Sequence, residues 1–248
     1  MVSSRLDRLR VVLVDTSHPG NIGAVARAMW AMELRDLTLV RPKRFPSADA
    51  TARAAGADAL LYHATLCDTL EEAVAGCTWV VGTTVRARHL SLPRLAPREF
   101  AGRAMEEAGQ GAVALVFGRE RAGLSNDELD LCQAVACIGT NPAFSSLNVA
   151  AAVQVFAYEL RVAGIGAPPP DGGDASDEAT TAAEMEGFYG HLEQALTDIG
   201  YHDPRSPKLL MRRLRQLYGR ARPDRAELNI LRGILAATRR AAGKSGDA

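Results

Sequence analysis

The chain has 248 residues, 47% of them hydrophobic and 23% charged, which suits one large or two smaller globular domains and excludes a disulfide-stapled miniprotein. No apolar run approaches the ~20 residues of a membrane span. The start, MVSSRLDRLRVVLVD, lacks the features of a signal peptide, so a soluble, cytoplasmic protein is expected. Lys plus Arg and Asp plus Glu both number 29, giving zero net charge, which argues against a nucleic-acid partner only until the charges are placed along the chain.

Residues 10–164 alternate β-rich runs with helical patterns, the signature of an α/β domain with a largely parallel sheet. Strands are expected at 10–15, 37–40, weakly at 60–63, then at 79–83, 112–117 and 134–138. Several are apolar without alternation, as strands covered on both faces are. Helices are expected at 21–32, 48–56, 69–75, 97–108 and 147–163. After Gly164 the run IGAPPPDGGDASDE offers nothing to bury and reads as a flexible linker. Three helical patterns follow at 180–199, 207–218 and 224–241, with Asp224 and Glu227 spaced as a capping box. Their apolar positions suffice for a small helical domain with an arginine-rich outer face. The expected domains are therefore 1–166, a linker at 167–179 and a helical part at 180–248.

Charge follows this division. Residues 1–166 carry 17 basic and 17 acidic side chains, 167–203 carry none and nine, and 204–248 carry twelve and three. The last block, at +9, is an electrostatic footprint for a polyanion; a solvated helical surface is the plainer alternative. Cys67, Cys77, Cys132 and Cys137 contain no CxxC pair and read as buried thiols. His18, His63, His89, His191 and His202 lack metal-ligand spacing; His18 alone sits in a loop where substrate could touch it.

Three loops carry chemistry. In DTSHPGNIGAVARAM, Gly20 and Gly23 allow close backbone approach, Asn21 or Ser17 can cap the following helix, and Arg27 lies about one turn inside it among small or apolar neighbours. An arginine there needs a partner if buried: a carboxylate, or a ligand or RNA phosphate. GNIG fits neither GxGxxG nor GxxxxGK[ST], so dinucleotide and P-loop binding lose support. In GRERAGLSNDEL, Gly118 and Gly123 frame Arg119, Glu120 and Arg121, and Ser125 caps a short helix with Glu128 three residues on. Charges between glycines at a strand end lie where open α/β sheets bind ligands, although a charged surface turn would look the same. In IGTNPAFSSLNVAAAVQVFAYEL, Ser145 or Ser146 is expected to cap a buried, Ala-rich helix whose N-terminus presents free N–H groups.

In this order, NxxxxxR (Asn21 to Arg27), FGRERxGL (Phe117 to Leu124) and NPxxSSLNVAAAVQV (Asn141 to Val155) closely resemble the three motifs of the SpoU/TrmH branch of the SPOUT RNA methyltransferases. The tail resembles that of the subgroup that methylates the ribose 2′-hydroxyl of nucleotide 32 in the tRNA anticodon loop. The resemblance implies an α/β fold with a C-terminal trefoil knot, a small all-α domain after it, a homodimer whose active site draws on both subunits, and S-adenosylmethionine as cofactor. Carried over by motif, it implies cofactor contacts at Thr83, Thr84, Val85, Gly118, Ile138, Ser145, Ser146 and Leu147, with Asn21, Glu120 and Asn148 shaping the pocket. Arg27 matches the catalytic arginine and Ser146 the serine implicated in catalysis or in placing the ribose.

Beside that resemblance, Arg86, Arg88, Arg119 and Arg121 are candidates for RNA phosphates, and the basic tail for the rest of a tRNA. A sulfonium carries its own leaving group, so the chemistry requires no metal. A guanidinium with a pKa above ~12 is a poor base. Arg27 is therefore read as binding phosphate and ribose and stabilising the developing alkoxide. A ribosomal-RNA 2′-O-methyltransferase of the same branch, and a non-catalytic RNA-binding protein with this fold, are the competing readings.

Overall fold

The computed structural model describes residues 5–84, 92–165 and 179–243. It divides into two compact units, Met1–Asp171 and Gly172–Ala248. In the first, a 3-10 turn (Arg5–Arg8) leads into β1 (Leu9–Val14), α1 (Pro19–Ala31), β2 (Asp36–Val40), α2 (Ala48–Ala54) and α3 (Asp58–Tyr62). Then come β3 (Thr65–Cys67), α4 (Leu70–Val74), β4 (Cys77–Thr83), β5 (Arg94–Leu95), α5 (Pro97–Glu107), β6 (Ala112–Phe117), α6 (Asn126–Asp130), β7 (Ala134–Ala136) and α7 (Val149–Gly164).

Among the described residues seven strands form one sheet in the order β3-β2-β1-β6-β4-β7-β5, and every pairing is parallel. The continuous apolar runs are explained by burial on both faces: Val12, Val14, Val80, Val81 and Val116 are sealed from solvent. α5 and α7 cover one face, where Trp79 stacks on Phe100 at 5.8 Å and Phe156 meets Phe100 and Phe117 edge-on at 5.6 and 5.9 Å. The fold is the expected α/β class, and the strand order is consistent with the implied knot.

Two local expectations are corrected. Residues 60–63 lie in and just after α3, whose Leu60 and Leu61 pack into the core, and the sheet strand comes later at β3. A short apolar run fits either a strand or one turn of buried helix, and tertiary packing decided. The helix at 147–163 is buried on one side only: Val153, Phe156, Ala157 and Leu160 face the core, while Val155, Tyr158 and Val162 are 37, 54 and 47% exposed.

The second unit contains α8 (Ala182–Asp198), α9 (Leu210–Ala221) and α10 (Arg225–Ala241). Phe188, Tyr189, Leu192 and Leu228 form its core, with Tyr218 edge-on to Phe188 at 4.9 Å. The expected capping box is present: Asp224 accepts from the Glu227 N–H at 2.8 Å, and Glu227 accepts from the Asp224 N–H at 3.0 Å. The acidic helix α8 also pairs with its basic neighbours, through Glu184 to Arg225, Glu186 to Arg215 and Asp198 to Arg239.

Candidate functional site

The strand order brings the carboxyl ends of β1, β6, β4 and β7 side by side. The three motif loops leave β1, β6 and β7, so residues more than a hundred positions apart meet at one sheet edge. There the loops after β6 and β7, with the end of β4, enclose a cleft of about 290 Å³. Phe117, Ala136, Ala152 and Phe156 form its floor, and Thr83, Thr84, Gly118, Ile138, Ser145, Ser146 and Leu147 line its walls. These are the described members of the implied cofactor set. Val85, and with it Arg86 and Arg88, lie outside the described residues.

The loop after β6 is folded tightly on itself. Arg119 and Gly123 exchange backbone hydrogen bonds at 3.3 and 2.9 Å, and Gly123 has φ +68°. A Cβ on Gly118 would stand 2.2 Å from the Gly123 carbonyl carbon, so this position requires glycine. The turn projects Glu120 across to the first loop, where its carboxylate accepts from the N–H groups of Ser17 (3.1 Å) and His18 (3.4 Å) and from Asn21 Nδ2 (3.3 Å). Burial raises the Glu120 pKa, but hydrogen bonds from its own backbone, Asn21, His18 and Ser17 outweigh this, and the net shift is downward. The N-cap of α1 is accordingly His18, without a side-chain cap. Neither Asn21 nor Ser17 supplies one, because a carboxylate from another loop occupies the N-terminus.

Asn21 Oδ1 in turn accepts from Asn148 Nδ2 at 3.0 Å, and Asn148 Oδ1 accepts from the Ala150 N–H at 2.9 Å. Asn148 is thus the N-cap of α7. The expected cap at Ser145 or Ser146 is corrected: both serines precede the helix and line the cleft. Glu120, Asn21 and Asn148 form a continuous chain of hydrogen bonds joining the three loops.

A second network braces the same edge. Asp15, at the end of β1 with φ +50°, is 8% exposed and bonds to Arg41 (3.1 Å), Lys43 (3.2 Å) and Arg119. Arg119 also grips Glu128 at 2.9 Å, and Glu128 completes the expected capping box with Ser125. Burial raises the Asp15 pKa, yet hydrogen bonds from Arg41 and Lys43 and the charge of Arg119 bring it down to about 2. Sequence reasoning missed Asp15, Arg41 and Lys43; the one available signal was an aspartate closing an otherwise apolar strand.

The candidate arginines part company here. Arg119 is committed to Asp15 and Glu128. Arg121 lines the cleft, is exposed and has no ion-pair partner among the described residues. Arg27 is not buried: it lies two turns inside α1, exposed, without a hydrogen bond or carboxylate partner among the described residues. It does not line this chain's own cleft. No group of three or more His, Cys, Asp or Glu able to hold a metal occurs among the described residues. Cys77 and Cys132 are buried, Cys67 and Cys137 half-buried, and all four are free thiols.

A parallel sheet whose second and third motif loops close over one cleft at its carboxyl edge, tied to the first motif loop by a Glu–Asn–Asn chain, defines an α/β methylase of the SPOUT class. The chain belongs to the SpoU methylase family: residues 8–158 match the model of the SpoU rRNA Methylase family. Residues 183–247 match that of the C-terminal domain of the tRNA methyltransferase TrmJ. The chain is 52% identical to the tRNA (cytidine/uridine/adenosine-2′-O-)-methyltransferase TrmJ of Pseudomonas aeruginosa, over 96% of both chains. It is 51% identical to the tRNA (cytidine/uridine-2′-O-)-methyltransferase TrmJ of Salmonella typhimurium, over 93% of this chain and 96% of that one. Among solved structures, TrmJ from Z. mobilis ZM4 superposes with a TM-score of 0.80 at 36% identity, covering 92% of this chain and 97% of that one.

Proposed function

We propose that this protein is an S-adenosylmethionine-dependent tRNA methyltransferase that modifies the ribose 2′-hydroxyl of nucleotide 32 in the anticodon loop, acting as a homodimer in the cytoplasm. The observation that carries the reading is the convergence of the second and third motif loops and the end of β4 on one cleft, with the first motif loop tied to both through Glu120, Asn21 and Asn148. Whole-length likeness to tRNA 2′-O-methyltransferases supports the reaction class. No helix among the described residues is long and apolar enough to cross a membrane.

The cleft suits the cofactor chemically. Ile138, Leu147 and Phe117 offer apolar surface for a flat base. Thr83, Ser145 and Ser146 offer polar groups, and the ionised Glu120 gives the cavity a negative charge that favours a sulfonium. When bound, the cofactor supplies an electrophilic methyl group with its own leaving group. The protein's contribution is placement: holding the 2′-oxygen in line with that methyl supplies up to ~7–11 kcal/mol of the barrier reduction. Ser146 orients the ribose from the wall of the cleft. Arg27 holds a flanking phosphate and stabilises charge growing on the 2′-oxygen, while the proton leaves to a phosphate oxygen or to water. Arg121 binds a second phosphate beside the cleft.

The position of Arg27 supports a site shared between subunits. A guanidinium that is exposed, unpaired and absent from its own cleft is available to the cleft of a second copy. The exposed apolar residues Val155, Tyr158 and Val162 on α7, with Trp30 on α1, offer such a copy a surface to bury. The helical domain, 180–248, contributes tRNA affinity through Arg205, Lys208, Arg213, Arg220 and Arg240, whose side chains have no carboxylate partner among the described residues. The test is to incubate the protein with methyl-labelled S-adenosylmethionine and unmodified tRNA transcripts, then map the label. Label on the ribose of nucleotide 32 is expected; label confined to ribosomal RNA, or none at all, would overturn the proposal.

A further inference from the structure

The geometry points to Arg53 on α2 as a second RNA-phosphate contact, acting beside Arg27 on the same face of α1. This rests on the reading of the chain as a tRNA methyltransferase. Arg53 lies far from the three motif loops in sequence, and no motif includes it. Its place is set by the crossing of α1 and α2. A Cβ on Gly23 would fall 2.0 Å from the Ala50 carbonyl oxygen and 2.9 Å from Arg53 Cβ, and one on Gly20 would touch Arg53 Cγ at 3.5 Å. The aliphatic stem of Arg53 therefore lies in a groove that two glycines leave along α1. Such a stem is ordered before binding, which lowers the entropy lost when its guanidinium takes a ligand.

Arg27 follows Gly23 by four residues and Gly20 by seven, so all three share one helix face. The rise of ~1.5 Å per residue separates the Cα atoms of Gly20 and Arg27 by roughly 10 Å, a span of one to two nucleotides. Helical side chains lean toward the N-terminus, which carries Arg27 back toward the turn that Arg53 crosses. Both arginines are exposed.

Asp49, one turn before Arg53, is the natural partner for an i, i+4 ion pair. Yet their side chains form no hydrogen bond or ion pair with each other, and the Arg53 guanidinium has no partner of either kind among the described residues. The N–H groups of Ser17 and His18 are already taken by Glu120. Two unpaired guanidiniums on one face, one with a prepositioned stem, suit consecutive phosphodiesters of a single-stranded loop.

The test uses the full-length protein with Arg53→Ala and Arg53→Lys, assayed on unmodified tRNA across a salt series. For Arg53→Ala the KM for tRNA should rise roughly five- to tenfold, with kcat and cofactor affinity near wild type. The slope of log K against log salt should shrink by about 0.7, the value for one single-strand phosphate. Arg53→Lys, which keeps the charge, should retain most of the slope. A wild-type KM and slope in Arg53→Ala would overturn the inference while leaving the methyltransferase reading intact. So would a change in sedimentation with no change in tRNA binding, since that would place Arg53 in a protein interface. If the wild-type protein fails to methylate tRNA, the underlying reading is what has failed.

Discussion

Arg27 and Arg119 show how little residue type alone says about role. Both are arginines of the sequence motifs, but one is exposed and unpaired on α1 while the other is locked between Asp15 and Glu128. For Arg27, the geometry needed is a planar fork that can span a phosphate and a ribose oxygen. Arg27→Lys keeps the charge and loses the fork. It should lower kcat by about a hundredfold or more, the scale of losing one preorganised donor set, with cofactor affinity retained by calorimetry; near-wild-type turnover would contradict the role. Asp15 tests the bracing network instead. Its folded-state pKa of about 2 lies below the ordinary 3.8, so its contribution to stability is complete above about pH 4 and lost as pH falls through 2. Asp15→Asn should therefore have a lower urea midpoint than wild type at pH 6, with the gap closing between pH 4 and 2. A gap independent of pH would show that Asp15 contributes by shape and not by charge.

Whether an element could be read from sequence depended on whether its signal was local. The core strands could be found because a strand covered on both faces is apolar throughout, as RVVLVD and AVALVF are, and the capping boxes at Ser125 and Asp224 are spaced four-residue patterns. α3 could not, because Leu60–Leu61 fits a strand as well as a buried turn. The caps of α1 and α7 were misplaced for a different reason. The group that occupies the start of α1 is Glu120, about a hundred residues away, and Asn148 was passed over because two serines stood just before it. The α1–α2 crossing was equally hidden, although its cause, Gly23, was in view. Gly23→Ala places a methyl 2.0 Å from the Ala50 carbonyl. It should cost about 2 kcal/mol, lowering Tm by roughly 4–8 °C; an unchanged Tm would mean the helices can part at no cost.

Charge had to be counted across the folded chain, not along it. The +9 of residues 204–248 overstates what RNA would meet, because α8, drawn from the acidic segment before it, neutralises Arg215, Arg225 and Arg239. The described residues 179–243 carry eleven basic and seven acidic side chains, a net +4. Removing two exposed, unpaired charges on α9 together, Arg213→Ala with Arg220→Ala, should weaken tRNA binding and reduce its salt slope by roughly 1.4 if both touch phosphate. Cofactor binding should be untouched, and an unaltered slope would remove α9 from the RNA path. The most direct measurement concerns the acceptor atom. A tRNA carrying 2′-deoxyribose at nucleotide 32 alone, given with labelled S-adenosylmethionine, should bind like the ordinary transcript and take up no methyl label at that nucleotide. Label incorporated there at the ordinary rate would show that the transfer is not to the 2′-oxygen.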